Sequence, residues 1–206
     1  MPTADLEDQE DDFGLFELLE DIQEATSGII ETMLRMGENT KNIGRQFEQR
    51  TLEANALTEQ QQSLGHIGGS RQQQLNLARA KDVVNQAAED LDKYAASMGL
   101  DLKQYKLENR TMLRNMRRAL ILQQEFSLAD RTLEHNITEM KNLIGILSTC
   151  RDNTTGFQTT VSRMPALTAH LKRARKRTST MLGELIAELQ FTIQETEQLL
   201  NMIFGE

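Results

Sequence analysis

Eleven positions between Ile22 and Leu57 follow steps of four and three residues in strict alternation: Ile22, Thr26, Ile29, Met33, Met36, Thr40, Ile43, Phe47, Arg50, Ala54 and Leu57. This spacing holds one seam of a helix against a partner helix, and it runs for about five heptads. A helix of that length cannot fold into a globule by itself; it must pair along its length. Three members of the seam are polar: Thr26, Thr40 and Arg50. Arg50 reads either as a layer that sets register or contacts a partner, or as a stem packed at the seam edge with its head in water. The second is the usual behaviour of long basic side chains.

The rest of the chain repeats the pattern. Only two prolines, Pro2 and Pro165, stand among 206 residues, and there is no Trp. The first helix is expected to start at Phe13 and stop near Gly65, where Gly65-His66-Ile67-Gly68-Gly69-Ser70 reads as a turn closing on an N-cap. That run lacks the Gly-Lys-Ser/Thr ending of a phosphate-binding loop, and no strand precedes it. A second run covers about 71–98 on Leu77, Ala80, Val84, Ala87, Leu91, Tyr94 and Met98. Gly99, Leu100 and Asp101 then suit a left-handed C′ position, its following apolar residue and a new N-cap, so a break is expected there. The alternative is one helix through residues 71–150. A third run extends over 102–150 and is interrupted at 151–156. The fourth extends over about 155–204, with Pro165 either kinking it or marking its true start. The expected fold is all-α: an elongated antiparallel bundle of long helices with coiled-coil-like packing, forming one domain over 13–206.

Residues 1–12 carry Asp5, Glu7, Asp8, Glu10, Asp11 and Asp12 without a base, and read as a disordered acidic arm. They account for six of the eight net negative charges. The remainder is nearly balanced, which argues against nucleic acid as a partner. Cys150 is the only cysteine, so no intrachain disulfide forms, in keeping with a reducing, cytoplasmic setting. No secretory leader and no uninterrupted apolar stretch of membrane-spanning length is apparent.

Nothing in the spacing of reactive residues points to an enzyme. His66, His135 and His170 are far apart. His135 and Glu139 share a helix face, but such pairs are more often surface contacts than metal ligands. Cys150 has no neighbouring His, no Ser sits in a nucleophile elbow, and the carboxylates are scattered. Neither a metal nor a cofactor is implied. One cluster stands out: Lys172, Arg173, Arg175, Lys176 and Arg177. It reads as a site for an anionic partner, or as salt bridging across a hairpin closed near residue 152, with Asp130 and Glu134 as acceptors.

Two segments, Val84-Asn85-Gln86-Ala87-Ala88-Glu89-Asp90-Leu91-Asp92-Lys93-Tyr94 and Arg163-Met164-Pro165-Ala166-Leu167-Thr168, resemble poorly characterised bacterial all-helical modules that accompany signalling or defence effector domains. The resemblance covers under a fifth of the chain and carries over no functional residue. It implies a bacterial origin and a sensing or scaffolding role. The sequence is therefore read as a non-enzymatic helical scaffold that self-associates or docks a partner effector through its seams. Arg50 and the 172–177 run are its candidate contacts. The alternative is a membrane-acting helical protein that binds anionic lipid peripherally through the same run.

Overall fold

The computed structural model describes residues 4–63, 70–126 and 131–204, all but a short turn of them helical. Four helices follow in order: α1 (Ala4–Ser63), α2 (Ser70–Phe126), α3 (Arg131–Arg163) and α4 (Ala169–Phe204). Among the described residues there is no strand. The fold is the all-helical bundle that the seams demand, with the division into helices drawn differently. Two helices are near sixty residues and two near thirty-five, rather than three near fifty and one near thirty. α1 begins at Ala4 and so takes in residues 4–12, which the sequence assigned to the acidic arm. The expected turn at Gly65–Gly69 lies outside the described residues.

Two expected boundaries move. α2 runs straight through Gly99. Met98 and Leu102 are both buried on its inner face, so packing on each side holds the helix over the glycine. The break falls instead after Phe126, and residues 127–130 lie outside the description. α3 likewise passes through 151–156 without interruption. Cys150, Thr154, Phe157, Val161 and Met164 are all buried, at steps of four, three, four and three. The seam thus continues across a stretch whose local residues favour a turn. Pro165 stands in the turn between α3 and α4, which Leu167 N–H closes on the Pro165 carbonyl at 2.9 Å. Thr168 Oγ1 then accepts the Leu171 N–H at 3.2 Å, the N-cap bond that starts α4.

The chain divides into two compact units, each built from a stretch of every helix. Unit 1 comprises Met1–Arg35, Leu102–Cys150 and Ala187–Glu206; unit 2 comprises Met36–Asp101 and Arg151–Ile186. In unit 2, Thr40 meets Tyr94 and Arg50 meets Asp90, so α1 and α2 run antiparallel. Gln158 donates to the Ser179 carbonyl, which places α3 and α4 antiparallel as well. The core of this unit centres on Phe157. Its ring stands edge-on to Phe47 and Tyr94 at centroid distances of 6.3 and 5.2 Å. Gly44 lies under the same ring, where an added Cβ would sit 3.5 Å from Phe157 Cδ2.

In unit 1, α2 and α4 run in the same direction: Tyr105 and Asn109 both meet Thr192, and Arg117 pairs with Glu195 further along both helices. Its core contains Ile22, Ile29, Met33, Met112, Leu143, Leu147 and Leu189.

Candidate interaction surfaces

Each unit buries a polar knot built around one threonine and one tyrosine, joined in unit 1 by Asn109. In unit 2 the Thr40 hydroxyl donates to the Met36 carbonyl at 2.8 Å. Its single hydrogen is then committed, so the Tyr94 hydroxyl, 2.7 Å away, is the donor to Thr40 Oγ1. In unit 1 the Thr192 hydroxyl donates to the Glu188 carbonyl at 2.9 Å. It accepts from Tyr105 Oη at 2.6 Å and from Asn109 Nδ2 at 2.8 Å. Burial pushes the Tyr105 phenol well above its ordinary range; the bond to Thr192 opposes this, while the charges of Glu188 and Cys150 add to it. Tyr105 is thus a neutral hydrogen-bond donor. These knots fix which helices are neighbours and at what register. They offer no reacting group to solvent.

The candidate contact residues all fall in unit 2, in two places. Arg50 sits on α1, where Nη1 lies 2.5 Å from Asp90 Oδ2 with both side chains largely buried, 27% and 19% exposed. It therefore forms a cross-helix ion pair inside the bundle. The basic run lies in the first turns of α4, and its members do three different things. Arg175 reaches back to the end of α3, donating to the Met164 and Ser162 carbonyls at 3.0 and 2.8 Å. The Ser162 carbonyl belongs to the last turn of α3 and the Met164 carbonyl to the residue just after it, so Arg175 acts as a C-cap in space. Arg177 pairs with Asp92 Oδ1 of α2 at 2.8 Å, and the other carboxylate oxygen accepts from His170 Nε2 at 3.0 Å. Lys172, Arg173 and Lys176 are exposed, and their side chains make no bond to any described residue.

The hairpin that carries this run closes at 164–168, not at 152, and so the acceptor is Asp92 of α2. The side chains of the expected acceptors, Asp130 and Glu134, lie outside the description. Asp90 and Asp92 are two residues apart, about 200° around α2. Arg50 and the α4 run therefore approach α2 from different sides, and the structure does not bring them together.

Other outward-facing features were not singled out from the sequence. On α1, Glu17, Glu20, Asp21, Glu24 and Glu31 are all exposed, and their spacing places them within about 100° of arc. The signal was available: no Lys or Arg precedes Arg35, so the base-free acidic stretch is nearly three times as long as the first twelve residues. On α2, Leu107 and Ile121 stand two heptads apart and are 69% and 56% exposed. Leu100, one heptad earlier, is 69% exposed. Single exposed leucines are ordinary on a protein surface. A row at heptad spacing, on the face of α2 turned away from its buried stripe, is less so.

His135 is exposed, and its Nε2 accepts from the Gln23 amide at 3.4 Å. Among the described residues, no group of three or more His, Cys, Asp or Glu is placed to hold a metal ion, and no helix is long and apolar enough to cross a membrane. No protein-family model matches the chain. No curated protein matches it either. A solved structure described as a computationally designed three helix bundle aligns with 96% of this chain and 95% of its own, at 18% identity and a TM-score of 0.36. At that score no correspondence of fold follows.

Proposed function

We propose that this chain is a non-enzymatic helical scaffold that works by associating with further copies of itself through its outer helix faces. The observation that carries the reading is the exposed apolar row of Leu107 and Ile121 on the outer face of α2, with Arg114 at the heptad position between them. The inner face of the same helix is fully used by Tyr105, Met112, Met116 and Ala119, so the row is surplus to the bundle's own core. Heptad-spaced apolar residues on an outer face are what a second helix packs against. The resemblance of Val84–Tyr94 and Arg163–Thr168 to bacterial helical modules supports a place beside a signalling or defence effector, with the scaffold setting the spacing of the assembly.

Sedimentation equilibrium over a wide concentration range tests the proposal. The expected result is a mass above that of one chain, falling in the variant L107S/I121S. A one-chain mass at every concentration would overturn it.

A second reading, peripheral contact with anionic lipid, draws on the exposure of Lys172, Arg173 and Lys176. Flotation with anionic vesicles separates it from the first. Binding that K172E/R173E/K176E abolishes, in a protein that stays single-chain, would favour lipid.

A further inference from the structure

The two compact units carry opposite charge. Unit 2 contains 14 basic and 11 acidic residues, a formal net charge of +3; unit 1 contains 9 basic and 20 acidic residues, a net charge of −11. Each unit is assembled from separate stretches of sequence, so a count along the chain hides the division. Two uninterrupted runs create it. Residues 1–34, in unit 1, hold eleven acids and no base. Residues 153–183, in unit 2, hold six bases and no acid.

Both runs present their charge on a described helix face. On α1 the exposed Glu17, Glu20, Asp21, Glu24 and Glu31 form a stripe about 21 Å long. None of them pairs with a described residue. On α4 the exposed Lys172, Arg173 and Lys176 share about 100° of arc. Asp92, the α2 carboxylate that pairs with this stretch of α4, is already engaged by Arg177 and His170. The two faces are opposite in sign and alike in their narrow helical arc, and neither pairs with a described residue.

We infer that the acidic face of α1 in one copy docks against the basic face of α4 in another, and that this complementary contact sets how copies associate. The inference rests on the self-association proposed above and names its partner, its contact faces and its salt dependence. A second copy fits the basic face better than a nucleic acid does. Nucleic acid binds through many phosphate contacts, whereas the exposed, unengaged cations here are three, within little more than one turn of α4. The α1 stripe of another copy supplies the opposite charge on a face of matching arc. Because each copy carries both faces, the contact either occurs twice and closes a dimer or repeats head to tail.

Charge reversal with a rescue arm provides the test. One full-length variant carries K172E/R173E/K176E; the other carries E17K/E20K/D21K/E24K. All seven side chains are exposed, and circular dichroism confirms that the helices are retained. Sedimentation velocity is run at about 20 mM and about 500 mM salt, which moves the screening length from roughly 20 Å to a few ångström. The wild type is expected to associate at low salt and to separate at high salt. Each variant alone is expected to run as a single chain at low salt, since its two faces now repel. An equal mixture of the variants is expected to associate again, because each then supplies the face that the other lacks.

Variants that associate as the wild type does, at both salt concentrations, overturn the inference and leave the scaffold reading intact. A wild type that is single-chain in all conditions overturns both, and that is read without any variant. A third arm uses phosphatidylserine vesicles. Vesicle binding lost in the first variant, with wild-type self-association preserved in it, would assign the basic face to lipid and overturn the inference as well.

Discussion

The Tyr105 hydroxyl lies 2.6 Å from Thr192 Oγ1, and that one oxygen also accepts from Asn109, so a single buried threonine answers two donors from α2. Replacing Thr192 with Val keeps the shape and removes the acceptor. Both donors then stay buried without a partner, each a loss of ~1–3 kcal/mol. Tyr105→Phe removes one donor and leaves the Asn109 bond in place, at a cost of ~1 kcal/mol. T192V is therefore expected to lower the urea midpoint more than Y105F. In Y105F/T192V the loss is expected to be smaller than the sum of the two single changes, because one orphan donor has gone. Additive losses would show that the bond contributes nothing of its own.

Tyr105 also imposes a pH dependence. Its folded-state pKa is raised by burial above the unfolded value of about 10. Below that value the phenol is neutral in both states and contributes no slope. Above it the unfolded chain loses the proton that the folded chain keeps, so stability falls as pH rises, by ~1.4 kcal/mol per pH unit. Denaturation between pH 9 and 11 is expected to show this extra decline in the wild type and to lack it in Y105F. Equal slopes in the two proteins would contradict the burial assigned to this phenol.

Much of this architecture was legible in the spacing of single residues. Of the eleven seam positions on α1, all are buried except Ile43, Arg50 and Leu57, which are half-buried. Helix boundaries were harder because local and long-range signals conflict. Asp152, Asn153 and Gly156 favour a turn, yet Thr154 and Phe157 lie on a continuing seam, and their burial decides the outcome. At Pro165 the two signals agree, since proline both breaks the ladder and precedes the Thr168 cap. The candidate contacts were partly legible. A run of five bases at 172–177 is visible in the chain, but its division into a cap, an ion pair and three cations that pair with no described side chain depends on where the hairpin turns. The exposed row at Leu107 and Ile121 was masked by the stronger buried stripe of the same helix.

Gly99 gives a direct measure of how far packing overrides local preference. It lies inside α2, its backbone needs no left-handed conformation, and an added Cβ would meet no atom within 4 Å. The only remaining effect of the glycine is its conformational freedom in the unfolded chain. Gly99→Ala is expected to raise stability by ~0.5–1 kcal/mol, seen as a higher thermal or urea midpoint. A lowered midpoint would mean that the helix breaks at this residue.

Arg50 offers the last test, because it separates a contact within the bundle from a contact with a partner. Its guanidinium is held by Asp90 at 2.5 Å, and the pair is buried enough to escape most solvent screening while still reaching water. Its value should fall between that of an exposed pair, ~0–1 kcal/mol, and the ~3–5 kcal/mol loss when a fully buried pair is broken. Arg50→Met retains the packing of the stem and deletes the charge. Asp90→Asn deletes the other charge at constant shape. Each change alone is expected to cost ~1–2 kcal/mol, and the double variant is expected to cost less than their sum, with a coupling of ~1 kcal/mol in a urea double-mutant cycle. A coupling of zero would show that the two charges neither help nor specify the α1–α2 register. The same R50M protein is expected to associate in sedimentation as the wild type does, because Asp90 already occupies the guanidinium. Loss of association with stability retained would instead make Arg50 part of the outer contact surface.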